Sequence, residues 1–572
     1  MDYGMSDKQA VRRLIGLLIN HKCIISIIIG SLMISAALNF CIPLISRRIM
    51  DDGFISGDRS LLVELVIVSF LIYVLIIVLD LITEKLRIEL AAKIQYILNE
   101  ESFMHLMRLR IEYYDKRNYA ETFSNLNMDI SNMTSIADQG MFFVFTQIFS
   151  IIGGIVGLFV LDYRMTLIVL LIIPVKILVM RSFAKKRKEI MDRYIGENRN
   201  YAGWFGDTIG GIREIKLLSL IRRKQTEFSA KQGKIIEEYK RLNMLSQWNI
   251  GIDSIMVQAM VLVIYIVGAN LVFDMGLTVG TVFAFITYSA YVTGPISAIL
   301  NIKYLLSGII PSTKRYYEFM SAPEEDEDCN TKILDWNKIC FNNVSFSYSE
   351  DFPVLKNVEL TIEKGEKIAL IGKNGCGKST LIDLLLRLRI PKDGNISLDN
   401  YDVSALSLTA YREMFAVVSQ DIYLFNDSIR NNICLYRNID EDMLLKVCEE
   451  SGLSDLIKDV SLDYNVGANG AMLSGGQKQK IALARALLLD RPILILDEAT
   501  SNADVVSELQ INSLLHTALN DKTVIAISHR AQILYSMDRV ILMDEGRIID
   551  DGTFDDVSER DPYIHLMKNK TI

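Results

Sequence analysis

The stretch Gly372-Lys373-Asn374-Gly375-Cys376-Gly377-Lys378-Ser379-Thr380 follows the apolar run Lys367-Ile368-Ala369-Leu370-Ile371 and precedes a helix-period pattern. Strand, glycine-rich loop, helix is the order in which a loop binds phosphate. Glycines let backbone N–H groups converge on phosphate oxygens, and the helix N-terminus adds a favourable dipole. Lys378 would neutralise terminal phosphates, and the Ser379 hydroxyl is placed to ligate Mg²⁺. A second apolar strand, Ile493-Leu494-Ile495-Leu496, ends in Asp497-Glu498. Acids at a strand end often only solubilise a loop; beside a phosphate loop they become its expected partners. Asp497 suits a Mg²⁺ and water contact, and Glu498 is placed to polarise an attacking water.

Between these two elements lies Leu473-Ser474-Gly475-Gly476-Gln477, about 20 residues before the acidic strand. Read alone it is a glycine-rich turn with Ser474 as a helix N-cap, which is itself an anion site. The pentapeptide resembles the ABC transporter family, whereas phosphate loops alone are shared by many nucleotide triphosphatases. The resemblance implies ATP and Mg²⁺ as cofactors. It further implies that Ser474 and Gly476, with Gly475 and Gln477 in the same nucleotide-binding segment, meet the γ-phosphate held by another subunit, so that one site needs two ATPase domains.

The resemblance extends residue by residue. Tyr348, in Phe346-Ser347-Tyr348, is similar to the aromatic that stacks on adenine. Gln420, in Val418-Ser419-Gln420-Asp421, resembles the residue that senses Mg²⁺ and water. Asp504, in Ser501-Asn502-Ala503-Asp504, resembles the acid of a segment that crosses the dimer, and His529 resembles the γ-phosphate switch histidine. The implied catalytic set is Glu498, His529, Lys378 and Gln420, and the implied metal set is Ser379, Gln420 and Asp497. Two departures stand out. Val466-Gly467-Ala468-Asn469-Gly470 has an alanine where exporters commonly carry an acid, which removes a salt-bridge or hydrogen-bond acceptor. Cys376 lies within the phosphate loop beside a helix N-terminus, which favours a thiolate next to bound nucleotide.

These residues need elements to hold them, and the composition says where the chain resides. Half of the 572 residues are hydrophobic, and the mean hydropathy is positive, so a large membrane portion is expected. Apolar runs fall at 22–46, 61–83, 141–161, 165–183, 253–273 and 279–300. Each is about 20 residues, enough to cross a hydrocarbon core of about 30 Å. The first run is too long for a signal peptide and lacks a cleavage pattern. Lys8, Arg12, Arg13 and Lys22 before it, and the basic segments 84–140 and 184–252, favour a cytosolic N-terminus. The short segments 47–60, 162–164 and 274–278 then face outside. The two inner segments read as helices continuing far into the cytosol.

The formal charge of −8, with both signs mixed throughout, argues against nucleic acid as a partner. The seven cysteines show no metal-ligand spacing and read as reduced thiols. Pro323 and the acids 324–328 break helix periodicity. The expected organisation is a six-helix, all-α transmembrane domain at 1–320, an acidic linker at 321–336, and an α/β phosphate-loop ATPase domain at 337–572 with buried parallel strands.

The resemblance covers nearly the whole chain and is to the exporter type, a half-transporter with its membrane domain first. It implies an ATPase in the cytoplasmic membrane, with its ATPase domain in the cytosol, working with a second copy of itself or a related half-transporter. It also implies short transverse helices in the inner segments, which Tyr113-Tyr114-Asp115 through Asp129 and Gly210-Gly211-Ile212-Arg213-Glu214-Ile215-Lys216 match loosely. About 20 residues precede the first span, too few for an N-terminal peptidase. The expected activity is export of a peptide or amphipathic compound by alternating access. Lipid flipping, or service as half of a heterodimer, is the alternative, and an ATP-gated channel or sensor is a third class. Lys176, beside Pro174 in the fourth span, either meets a substrate anion in a cavity or is snorkelling or paired to another helix. Lys303 is expected near the cytosolic cavity mouth.

Overall fold

The computed structural model describes residues 5–115, 119–137, 141–274, 276–325, 335–349, 352–498, 512–562 and 564–565. Asp504 lies outside them, as do the side chains of 119, 120, 141, 297, 298 and 300–307, Lys303 among these. The chain divides into two units, Met1–Met107 with Arg117–Ala322, and Arg108–Lys116 with Pro323–Ile572.

The first unit is helical: α1 (Asp7–Ile19), α2 (Lys22–Arg48), α3 (Arg59–Arg108), α4 (Tyr119–Ser135), α5 (Met141–Leu161), α6 (Tyr163–Gly210), α7 (Ile212–Leu217), α8 (Ile221–Phe273) and α9 (Val279–Phe319). Among the described residues six helices are long and apolar enough to cross a membrane, one for each expected run. At 50 residues α3 is about 75 Å long, more than twice a hydrocarbon core of about 30 Å, so its charged half must project beyond the bilayer. The same holds for α6 and α8, at 48 and 53 residues.

Local chemistry sets the helix ends. The Asp162 carboxylate accepts from the N–H groups of Arg164 and Met165 and starts α6. Ser6 and Gln9 form a capping box that starts α1, which buries Ala10, Leu14 and Leu18. This helix precedes the first span and was not foreseen in the sequence. The expected outer loop 47–60 is instead largely helical, because α2 continues through a wider turn, Ile49–Ile55. Asp51 on that turn caps α9, accepting from Gly280 N–H at 2.8 Å and Thr278 Oγ1 at 2.6 Å. A Cβ on Gly280 would meet the Arg47 carbonyl at 2.5 Å.

The second unit holds a four-stranded antiparallel sheet, β2 (Pro353–Glu363), β1 (Lys338–Ser347), β4 (Asp393–Leu398) and β5 (Tyr401–Asp402) in that order. Its six-stranded sheet runs β10 (Arg547–Gly552), β9 (Arg539–Asp544), β3 (Lys367–Gly372), β8 (Thr523–Ile527), β7 (Ile493–Asp497), β6 (Phe415–Val418). All neighbours in it are parallel except β10 and β9. Alternate residues serve opposite faces. Ile368, Leu370, Ile493, Ile495, Ile525 and Ile527 join one core, while Ala369, Ile371, Leu494, Leu496, Val524 and Ala526 join another. Burial on both faces is why these strands read as unbroken apolar runs.

Residues 108–115, which the sequence places in an inner segment of the membrane domain, belong structurally to this second unit. Leu109 bridges Glu324, and the Glu325 N–H donates to the Arg108 carbonyl at 2.8 Å. Arg412 holds the Glu325 carboxylate through two bonds of 2.7 Å. The first acids of the expected solvated linker are therefore docked, and 326–334 lie outside the described residues.

Candidate functional site

Because β3, β8, β7 and β6 are adjacent and parallel, their carboxyl ends share one edge of the sheet, the edge where open α/β sheets bind ligands. That edge carries the loop 372–380 after β3, His529 after β8, Asp497-Glu498 at the end of β7, and Gln420 after β6.

The loop takes its shape from three glycines with positive φ: Gly372 (147°), Gly375 (83°) and Gly377 (108°). Close approach adds a second reason at two of them. A Cβ on Gly372 would lie 2.2 Å from the Met543 carbonyl, and one on Gly377 2.7 Å from Leu355 Cδ2. Gly377 then caps the helix Lys378–Leu385. The Lys378 side chain is only 6 % exposed, and its ammonium donates to the carbonyls of Gly372 (2.8 Å) and Lys373 (3.1 Å). The cation is thus held inside the loop whose N–H groups would receive phosphate. Cys376, expected beside bound nucleotide, has its side chain buried against the apolar core, with Sγ 3.9 Å from Lys378 Nζ.

Thr380, buried, hydrogen-bonds the Tyr348 hydroxyl at 3.1 Å. The half-exposed Tyr348 ring meets Phe346 edge-on and has the Arg389 guanidinium 4.6 Å from its centroid. Arg389 in turn donates to both carboxylate oxygens of Asp115 (2.9 and 3.2 Å) and to Asp383 (3.2 Å). Burial pushes the Asp383 carboxyl above the usual carboxylate range. Sequence reasoning missed this cluster. Its one signal was the basic Arg387-Leu388-Arg389 after the phosphate-loop helix, and nothing there names a partner 274 residues away.

Glu498 and Gln420 are brought together, with Gln420 Nε2 donating to Glu498 Oε2 at 2.8 Å. Glu498 has a positive φ of 48°, and its N–H donates to the Ile527 carbonyl at 3.0 Å, fixing the turn off β7. The Asp497 carboxyl is pushed up by burial, then by the Glu498 and Asp383 charges, against the Ser379 hydrogen bond and Lys378, which lower it. Its Oδ1 is buried and has no hydrogen-bond partner among the described residues. A buried, unsatisfied carboxylate oxygen beside a serine hydroxyl fits a hard divalent cation. No group of three His, Cys, Asp or Glu among the described residues could hold a metal alone, so a divalent cation here would need further oxygens from a ligand. His529 has both ring nitrogens buried, without a hydrogen-bond partner among the described residues. Burial, then Lys378, holds its pKa below the ordinary 6.5, against the pull of Glu498.

Ser474 caps the helix Gly475–Leu489 in a capping box with Gln477. Ser474 and Gly475 are exposed. None of the hydrogen bonds among the described residues joins this segment to the phosphate loop of its own chain. Ala468 is exposed on a turn where Asn469 is left-handed (φ 49°), and the Asn469 carbonyl accepts from Lys478 at 2.8 Å.

In the helical unit Lys176, 2 % exposed, pairs with Asp253 at 2.7 Å and donates to the Thr293 carbonyl at 2.9 Å. Of the readings open in the sequence, helix pairing is the one realised.

Two family profiles match the chain: ABC transporter transmembrane region over residues 25–296, and ABC transporter over residues 355–501. The chain is similar to an ATP-dependent lipid A-core flippase of Albidiferax ferrireducens, 28% identical over 540 residues, covering 91% of this chain and 90% of that one. It is also similar to one of Escherichia coli K12, 27% identical over 581 residues, covering 99% of both. In fold it resembles a bacterial Atm1-family ABC exporter solved with ATP bound, with a TM-score of 0.81, 20% identity, and coverage of 96% of this chain and 98% of that one.

Proposed function

Since the chain belongs to the ABC transporters, as an exporter-type half-transporter with its membrane domain before its ATPase domain, we propose that two copies move an amphipathic lipid across the cytoplasmic membrane. The hydrolysis of ATP coupled to movement of a substrate is the activity of this family. The observation that carries the proposal is the Gln420–Glu498 hydrogen bond at the sheet edge shared with the phosphate loop and His529.

In this reading Lys378 and the loop N–H groups bind the phosphates of ATP, with Tyr348 against the base. The Ser474-Gly475-Gly476-Gln477 segment, exposed at Ser474 and Gly475, completes the site of the second copy. Ser379 and Asp497, with Gln420, would hold Mg²⁺, which supplies charge neutralisation at the phosphate oxygens. Glu498 accepts a proton from the attacking water, Gln420 holds that carboxylate in place, and the neutral His529 turns a ring N–H toward the terminal phosphate. Asp504 is assigned to the crossing between the copies on sequence resemblance.

A lipid is preferred to a peptide because the full-length relatives described above are named as flippases of a lipid. The test is reconstitution of the chain alone in liposomes carrying a fluorescent lipid. The reading requires Mg²⁺- and ATP-dependent movement of that lipid, abolished by Glu498→Gln. ATPase activity with no lipid movement would return the substrate to a peptide or another amphipath. Absence of any activity would mean that the chain needs a different half-transporter.

A further inference from the structure

Asp80 lies on α3, in the apolar run 61–83 and four residues before the charged extension begins at Glu84. It is exposed, and its one hydrogen bond among the described residues comes from Ser35 Oγ at 3.0 Å. No lysine, arginine or histidine is paired with it there. A carboxylate at that position in a spanning segment is costly unless something answers its charge. Lys176, in the same unit, shows how this fold treats an intramembrane charge that is only structural: it is buried and paired, with the half-buried Asp253.

Asp80 instead faces a partly open cavity of about 190 Å³ bordered by α2, α3, α5 and α9. Ser35, Asn39, Thr146 and Ser150 supply polar groups to its wall, and no residue of that wall is basic. Phe40, Phe149 and Tyr291 supply aromatic rings. Small residues keep it open: a Cβ on Gly153 would meet nothing within 4 Å, while Gly154 is required by the approach of α9, where a Cβ would lie 2.7 Å from Val292.

One acid, no base and several aromatic rings are the ingredients that select a positive group, through a direct ion pair and through cation–π attraction. We propose that this chamber binds the cationic head of an amphipathic substrate, with Asp80 as its counter-ion. The proposal rests on the exporter reading and narrows it: the transported amphipath carries an ammonium or similar cation at its head rather than a phosphate. The tail would lie along the apolar outer surface of α3, where Val66, Ile67, Phe70, Leu71 and Val74 are exposed.

The test uses the full chain in phosphatidylcholine nanodiscs and three probes with one decyl tail: decyltrimethylammonium, decyl phosphate and decyl maltoside. Binding is measured calorimetrically below the micelle concentration, with empty discs as the blank. The ammonium probe is expected to bind best. Asp80→Asn should weaken it at least tenfold, and Asp80→Lys should reverse the preference towards the phosphate. Gly153→Leu keeps the charge and narrows the chamber, so it should weaken the ammonium probe alone. The proposal is overturned if the phosphate or maltoside probe binds best to the wild type. It is equally overturned if Asp80→Asn leaves the order unchanged while lowering the dimer fraction, since Asp80 would then be paired to a base on the second copy. ATP hydrolysis by the wild type is measured in the same discs; its absence would count against two copies of this chain sufficing, whereas hydrolysis without ammonium binding would count against the chamber alone.

Discussion

Asp115 and Arg389, 274 residues apart in sequence, meet in a two-pronged ion pair, and the same guanidinium covers the Tyr348 ring. The residue expected to stack on adenine is therefore held by an arginine that is itself held by the 108–115 segment. Arg389→Ala should raise the KM for ATP more than it lowers kcat, and destabilise the chain by on the order of 2 kcal/mol through lost charged hydrogen bonds. Arg389→Lys should not restore the KM, because an ammonium cannot make the paired contact or stack as a guanidinium does. Equal losses in kcat and KM with both variants would reduce the cluster to packing.

Glu498→Gln should lower kcat by roughly 10²- to 10⁴-fold, the usual worth of a general base, and leave ATP binding intact. Gln420→Ala should produce a smaller fall, since Gln420 orients the carboxylate without taking the proton. Single-turnover hydrolysis alongside equilibrium binding of a fluorescent ATP analogue separates the two effects.

The raised pKa of Asp497 has a sign that can be checked. A carboxyl whose folded pKa lies above its unfolded value stabilises the fold only while protonated, and that contribution is gone once pH rises through the folded pKa. At neutral pH the Asp497 carboxylate accordingly weighs against the nucleotide-free fold. Asp497→Asn should raise the melting temperature without nucleotide and abolish the further stabilisation by Mg²⁺ with ATP.

His529 runs in the opposite direction. Its folded pKa is lowered, so the unfolded chain takes up the proton first as pH falls below the ordinary 6.5, and stability declines until the folded pKa is passed. His529→Asn should remove that acid-side decline, as thermal melts across pH 7 to about 5 would show.

Lys176→Ala should remove the buried cation paired with Asp253 and cost roughly 1.5–3 kcal/mol, the usual worth of a hydrogen bond to a charged group. The double change Lys176→Met with Asp253→Leu should recover most of that loss. Thermal unfolding in detergent compares the two.

The spans, the strands and the phosphate loop were legible because each is a local pattern: an apolar run of fixed length, or glycines at fixed spacing after a strand. The Lys176 partner was not, because periodicity shows which face of a helix is apolar and not which neighbouring helix presents Asp253. The Asp115–Arg389 pair was hidden for the same reason. The burial of Cys376 was not legible because the sequence places it only in a loop associated with nucleotide, while the turn directs its side chain into the core beneath Gly372. Glu324 and Glu325 read as solvated linker because a block of acids normally is one; arginines outside the block receive Glu325.

Residues 108–115 complete a domain whose remainder begins at Pro323. During synthesis they emerge more than 200 residues before it, and at about 5–20 residues per second the interval to Arg389 is on the order of tens of seconds. Asp115 therefore waits, while the intervening helices are being inserted, for a guanidinium that has not yet been made. The last steps of translation close the neighbourhood of the ATP site, and a ribosome that stalls before codon 389 would leave a chain with its spans in place and that closure missing.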